Sequence, residues 1–183
     1  KSGIQQALLE GSFEVHYQPI IDVLTGELSS MEALVRWPHP VEGMISPAEF
    51  IPIAEETGLI LPLGEWVLRS VCEQIKKWNT IGYDGFRVAV NLSARQFENN
   101  IPSLVEGMMI ETGISADSLT LEITEGIAMK NVEQNIRMLE DLKALGLNIS
   151  IDDFGTGYSS LAYLKRFPLN TLKIDRSFIK DIT

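Results

Sequence analysis

Apolar and polar positions alternate one for one over residues 13–17. Further on, the apolar positions recur every three to four residues, and the two periods then trade places several times. Phe13-Glu14-Val15-His16-Tyr17 alternates and predicts a first strand. Gln18-Pro19 leads to a turn at Leu24-Thr25-Gly26, and residues 28–35 predict a second strand. So short a connection leaves no room for a crossover helix, so the pair forms an antiparallel hairpin. Ser46-Pro47-Ala48-Glu49 supplies an N-cap serine, a first-turn proline and a capping-box glutamate, and Gly58 ends the helix they start. Val67, Leu68, Val71, Ile75 and Trp78 mark one face of a longer helix over 63–78. Strand and helix then alternate. Strands are expected at 87–91, 119–123, 147–152 and 171–174. Helices are expected from Pro102 to Gly113, over 132–145 with Gly146 as C-cap, and over 159–166. This order implies a mostly parallel sheet with helices outside it. It contains six strands, where a closed barrel of this class needs eight.

Each strand from the second onward is interrupted by a polar group near its C-terminal end: Glu32, Asn91, Glu122, Asp152 with Asp153, and Lys173. In α/β barrels those ends share one mouth, where ligands bind. A polar residue at one strand end is usually a satisfied surface group; five in register point to a site. The carboxylates and the amide form an all-oxygen set suited to Mg²⁺ or Mn²⁺. Asp152-Asp153 runs straight into Phe154-Gly155-Thr156-Gly157-Tyr158-Ser159-Ser160, a metal pair under a bending loop or, more plainly, an Asx turn. Lys173, between Leu172 and Ile174, is either an ion-pair partner for these acids or a cation for a phosphate oxygen or a water. Arg36 is placed at the site rim, to grip a phosphate or to form a surface pair.

The net charge of −10 over 183 residues excludes non-specific binding to nucleic-acid polymers, which needs a basic face. It leaves room for a small phosphorylated ligand held through cations. Cys72, the single cysteine, lies in a helical pattern and reads as a buried thiol in a reducing compartment. No apolar run is long enough to span a bilayer. The chain begins at Lys1, as a piece of a longer protein would.

Tyr17-Gln18-Pro19-Ile20, Glu32-Ala33-Leu34-Val35-Arg36-Trp37, Asn91-Leu92-Ser93, Leu121-Glu122-Ile123-Thr124-Glu125, the Asp152–Ser160 block and Lys173-Ile174-Asp175 resemble, in unbroken order, the EAL domain family of bacterial cyclic di-GMP phosphodiesterases. The resemblance implies a modified TIM-type (β/α)₈ barrel with an antiparallel first strand, and metal-dependent hydrolysis of cyclic di-GMP to linear pGpG. By the same resemblance Glu32, Asn91, Glu122 and Asp152 match primary metal ligands, and Asp153 a ligand to a second ion. Lys173 matches the lysine holding the hydrolytic water, Glu125 the anchor of the loop after the aspartates, and Gln18 and Arg36 substrate contacts.

The resemblance also implies two Mg²⁺ or Mn²⁺ ions, a homodimer, and linked sensory or GGDEF-type domains in a cytoplasmic or membrane-anchored parent. Gly126 and Ser30 depart from the pattern at positions that are not ligands. The family's last two βα units, with the glutamate regarded as general base, have no counterpart in residues 1–183. The expectation is an EAL domain lacking those units. The alternatives are a non-catalytic EAL-like module that binds cyclic di-GMP or a protein, and an enolase-type Mg²⁺ barrel, which the ordered blocks disfavour.

Overall fold

The sheet grows outward from the hairpin. β1 (Glu14–Ile21) and β2 (Leu28–His39) pair antiparallel with Gln18 opposite Glu32. Asp22 Oδ1 closes their turn by accepting from the amides of Leu24 and Thr25, at 2.9 Å each. The computed structural model describes residues 2–156, 161–178 and 180; Gly157, Tyr158, Ser159 and Ser160 of the glycine loop lie outside the described residues. Before the hairpin stands α1 (Ser2–Glu10), which the hydropathy pattern did not mark. After it, β2 continues to His39 and pairs antiparallel with β3 (Gly43–Ile45), a short strand also absent from that pattern. Among the described residues the sheet therefore has seven strands, and Glu32 sits in the middle of β2 instead of near its end.

α2 (Pro47–Thr57) begins where Ser46 Oγ accepts from the Ala48 amide at 3.3 Å, and it ends at Gly58, whose φ of 77° only glycine adopts freely. α3 (Ile60–Thr80) follows. β4 (Val88–Asn91), α4 (Ala94–Phe97), α5 (Ile101–Thr112), β5 (Leu119–Thr124), α6 (Glu125–Ala128), α7 (Val132–Ala144), β6 (Asn148–Phe154), α8 (Leu161–Leu164) and β7 (Thr171–Ile174) complete the order. The strands lie β1-β2-β4-β5-β6-β7, parallel from β2 onward, with β3 beside β2. This is the arc of a TIM-type barrel with an antiparallel first strand.

Period-2 alternation sorts the strand residues by face. Val88, Val90, Leu119, Leu121, Ile123, Ile149 and Ile151 pack outward into one core with Leu68, Val71, Ile75, Val105, Leu139 and Leu142 of the helices. A smaller core of Phe13, Trp37 and Phe50 joins α1 and α2 to the hairpin, with Phe13 and Trp37 ring centroids 5.3 Å apart. The opposite strand positions, Glu32, Ala89, Glu122, Ser150 and Lys173 among them, line an interior cavity of about 550 Å³. The same alternation that builds the core therefore delivers the polar residues inward.

Cys72 is fully buried, and burial pushes its thiol from the ordinary 9.0 up to about 11. On raising the pH through that window the unfolded chain releases this proton first, so stability falls as the pH rises. Urea midpoints should drop between pH 9 and 11, with a shallower slope in Cys72→Ala. Equal slopes in the two proteins would show that the thiol is not the cause.

Candidate metal centre

Glu32 on β2, Glu122 on β5 and Asp152 on β6 each take an inward position, and one carboxylate oxygen from each lies within 4.8 Å of the others. Lys173 on β7 reaches all three, with Nζ donating to Glu122 Oε2 at 2.8 Å and Glu32 Oε2 at 3.0 Å, and lying 3.2 Å from Asp152 Oδ2. Asn91 at the end of β4 donates from Nδ2 to Glu32 Oε1 at 2.8 Å. Five strand positions chosen from sequence thus converge on one point.

The electrostatics of this point are unbalanced: three carboxylates face one ammonium. Glu122 is 2% exposed, and its burial raises its pKa against the pull of the Lys173 hydrogen bond and charge. Burial alone would lower the Lys173 pKa, but the hydrogen bonds and charges of Glu122 and Glu32 outweigh it, and the net direction is up. The two directions act on one contact, and its 2.8 Å geometry favours the ionised pair. The excess negative charge is the feature that a cation would remove.

Asp153 stands apart from the trio. Its φ of 53° is left-handed, its carboxylate is exposed, and its amide donates to Asp152 Oδ1 at 2.9 Å. Partial desolvation, then the negative charges of Asp152 and Asp175, raise its pKa. Thr124 Oγ1 caps α6 by accepting from the Ile127 amide, and the first residue of that helix is the buried Glu125. Glu125 Oε2 accepts from the Gly155 amide at 2.6 Å. The two blocks containing Glu125 and Gly155, 30 residues apart, are joined there.

Gln18 is exposed on β1 and lines the interior cavity with Glu32, Glu122 and Lys173. Arg36 is half-buried, donates to the Val35 carbonyl at 2.9 Å, and opens on a separate cleft of about 440 Å³. Leu34, Pro47, Ile51, Glu55, Asn91 and Ser93 also line that cleft, which shares Asn91 with the metal-type cluster. Sequence reasoning missed this cleft and the box behind it. Ser93 Oγ accepts from the Gln96 amide at 3.3 Å, and Gln96 Oε1 accepts from the Ser93 amide at 3.1 Å. Ser93-x-x-Gln96 was a legible capping signature. Nothing local marks Glu55 or Ile51 as cleft residues.

The EAL domain family model matches residues 2–183. The cyclic di-GMP phosphodiesterase NbdA of Pseudomonas aeruginosa is 47% identical over 180 residues, covering 98% of this chain and 23% of its own length. MucR, a bifunctional diguanylate cyclase/cyclic di-GMP phosphodiesterase of the same organism, is 45% identical over 180 residues, 98% of this chain and 26% of its own. The solved PaMucR phosphodiesterase in its c-di-GMP complex superposes with a TM-score of 0.95 at 44% identity, covering 99% of this chain and 74% of that one. The chain thus spans about a quarter of the length of these curated relatives. Sequence and fold agree over the same residues, and the chain belongs to the EAL domain family.

Proposed function

We propose that the full-length protein hydrolyses one phosphodiester bond of cyclic di-GMP to give linear pGpG, and that residues 1–183 supply its metal cradle. The observation carrying this reading is the trio Glu32, Glu122 and Asp152 closed by Lys173. Converging oxygen donors with surplus negative charge fit Mg²⁺ or Mn²⁺ and leave no place for a thiolate-seeking ion. A divalent cation held there supplies Lewis acidity toward the phosphate and a lowered water pKa.

Glu32, Asn91, Glu122 and Asp152 would hold one ion, and Asp153 a second. Lys173 keeps its proton because two glutamates face it, so it acts as a fixed donor that orients the attacking water and steadies developing negative charge. Glu125 holds the Gly155 amide and so sets where the loop after Asp153 begins. Gln18 would contact the substrate from β1. Arg36 and Glu55 stand on the apolar walls of the 440 Å³ cleft, and a guanidinium and a carboxylate there suit the acceptor and donor edges of a guanine.

The same reading joins the domain to sensory or GGDEF-type domains and makes it a homodimer in a cytoplasmic or membrane-anchored parent. The one-quarter coverage of the curated relatives supports additional domains. Among the described residues no helix is long and apolar enough to cross a membrane.

Incubating full-length protein with cyclic di-GMP and Mn²⁺ should yield pGpG, and chelation or Glu32→Ala should each stop it. Tight binding without turnover in the wild type would replace hydrolysis with sensing.

A further inference from the structure

Between Ile151 and Phe154 the pairing of β6 with β7 breaks register, and it resumes where Phe154 faces Ile174. Asp152 and Asp153 occupy the break, with Asp153 left-handed at φ 53°. A bulge of this kind re-aims side chains, but only if its far end is fixed. Gly155 provides that end, at φ 100°, and it is held from three directions. Its amide donates to Glu125 Oε2 at 2.6 Å. The carbonyl just before it, on Phe154, accepts from the Asp175 amide at 3.2 Å. Its α-carbon lies against the ring of Phe178, so closely that a methyl group built on Gly155 would overlap Cε2 and Cζ of that ring.

Phe178 reaches this spot because the chain after β7 turns sharply. Asp175 Oδ1 accepts from the Ser177 amide at 2.9 Å, the Asp175 carbonyl accepts from the Phe178 amide at 3.1 Å, and Arg176–Phe178 forms a 3₁₀ turn. Within the described residues Phe178 makes its close approach to Gly155 from this turn. Lys173 stands five residues before it on the same segment.

We propose that Phe178 is a positioning residue for the paired aspartates. Its ring occupies the space a side chain at position 155 would need, and it clamps Gly155 against Glu125. The bulge carrying Asp152 and Asp153 is thereby tied to the segment that presents Lys173. Glycine at 155 is then required twice, by its backbone angle and by the ring. The effect on rate rests on the phosphodiesterase reading; the clamp itself does not.

Amide hydrogen exchange of the full-length protein, without substrate or added metal, tests the clamp alone. In Phe178→Ala, exchange over residues 153–156 should rise about tenfold or more while β4 and β5 keep wild-type protection. In the assay with cyclic di-GMP, Phe178→Ala should lower kcat by about tenfold to a hundredfold with KM nearly unchanged, the pattern of misplaced groups, not of lost binding. It should also weaken Mn²⁺ binding in a calorimetric titration. Phe178→Leu, which keeps an apolar contact, should recover most of each effect. Gly155→Ala and Phe178→Ala should combine to much less than the sum of their separate effects, because each disrupts the same contact.

Wild-type exchange over 153–156 in Phe178→Ala overturns the clamp whatever the activity. Faster exchange with unchanged kcat and Mn²⁺ binding overturns the positioning role. A rise in exchange shared by β4 and β5 also overturns it, because the ring would then serve general stability. Absence of turnover in the wild type counts against the phosphodiesterase reading and leaves the exchange result to decide the clamp.

Discussion

Glu122→Gln in the full-length protein is expected to lower cyclic di-GMP turnover by about 10³-fold while leaving the cation-free fold at least as stable as the wild type. The loss follows from the donor set. Glutamine keeps the shape and one carbonyl acceptor for Lys173, but it removes one of three converging negative charges. An aligned cation contributes several kcal/mol to phosphoryl transfer. Losing about 4 kcal/mol of that is about 10³ in rate. The stability side follows from burial. Glu122 is 2% exposed, and desolvation is the first cause of its raised pKa, so its charge costs energy in the folded state. Glu32 and Asp152 retain the Lys173 contacts at 3.0 and 3.2 Å after the change. Under the proposed function, the same buried charge that burdens the cation-free fold would serve the reaction.

Two thermal melts decide it. Without a cation, Glu122→Gln should melt at or above the wild-type temperature. With excess Mn²⁺ the wild type should gain, by about 2.7 kcal/mol at a hundredfold excess over Kd, and the variant should gain much less. A variant that melts far below the wild type without Mn²⁺ would make Glu122 a structural residue and remove this argument for the site.

Much of this site was legible because strand residues obey a strict period. Once 119–123 and 147–152 are read as strands, Glu122 and Asp152 must share a face with Ser150, opposite Leu121 and Ile151. The helix between Ser46 and Gly58 was legible for a local reason as well, a cap and a left-handed stop. Apart from the nine-residue α1, what escaped was too short or too distant for periodicity. β3 has three residues and exists only because β2 runs on to meet it. α4 and α6 have four residues each, less than a helical repeat can reveal, and their caps at Ser93 and Thr124 were the only signals. The contact of Phe178 with Gly155 joins residues 23 apart through a turn that no hydropathy pattern describes. The β2 boundary erred for a related reason. Trp37 and His39 lie past the alternating stretch, yet pairing with Ile45 and Gly43 extends the strand through them.

Lys173→Met carries the other large expectation, and it runs opposite to Glu122→Gln. Methionine preserves the bulk of the side chain and removes the one positive charge that the described residues place among Glu32, Glu122 and Asp152. Breaking a buried ion pair costs about 3–5 kcal/mol. Lys173 is 26% exposed on its side chain, so water screens part of this and the lower end, about 3 kcal/mol, applies. Under the proposed function turnover should fall with it, since the ammonium proposed to orient water is gone.

The pH response has a defined sign. Glu122 already lies above its ordinary 4.5, and losing the ammonium raises it further. A carboxylate whose folded pKa is raised binds protons more tightly in the folded state. Its stabilising effect is complete below the unfolded pKa and disappears as the pH climbs through the folded one. The deficit of Lys173→Met relative to wild type should therefore shrink on acidification toward pH 4.5 and be largest near neutrality. A divalent cation can take the place of the missing charge. At constant ionic strength Mn²⁺ should raise the melting temperature of Lys173→Met more than that of the wild type, recovering stability but not activity. Equal Mn²⁺ shifts in the two proteins would mean that Lys173 and the cation do not answer to the same three carboxylates, and the metal assignment would have to move elsewhere.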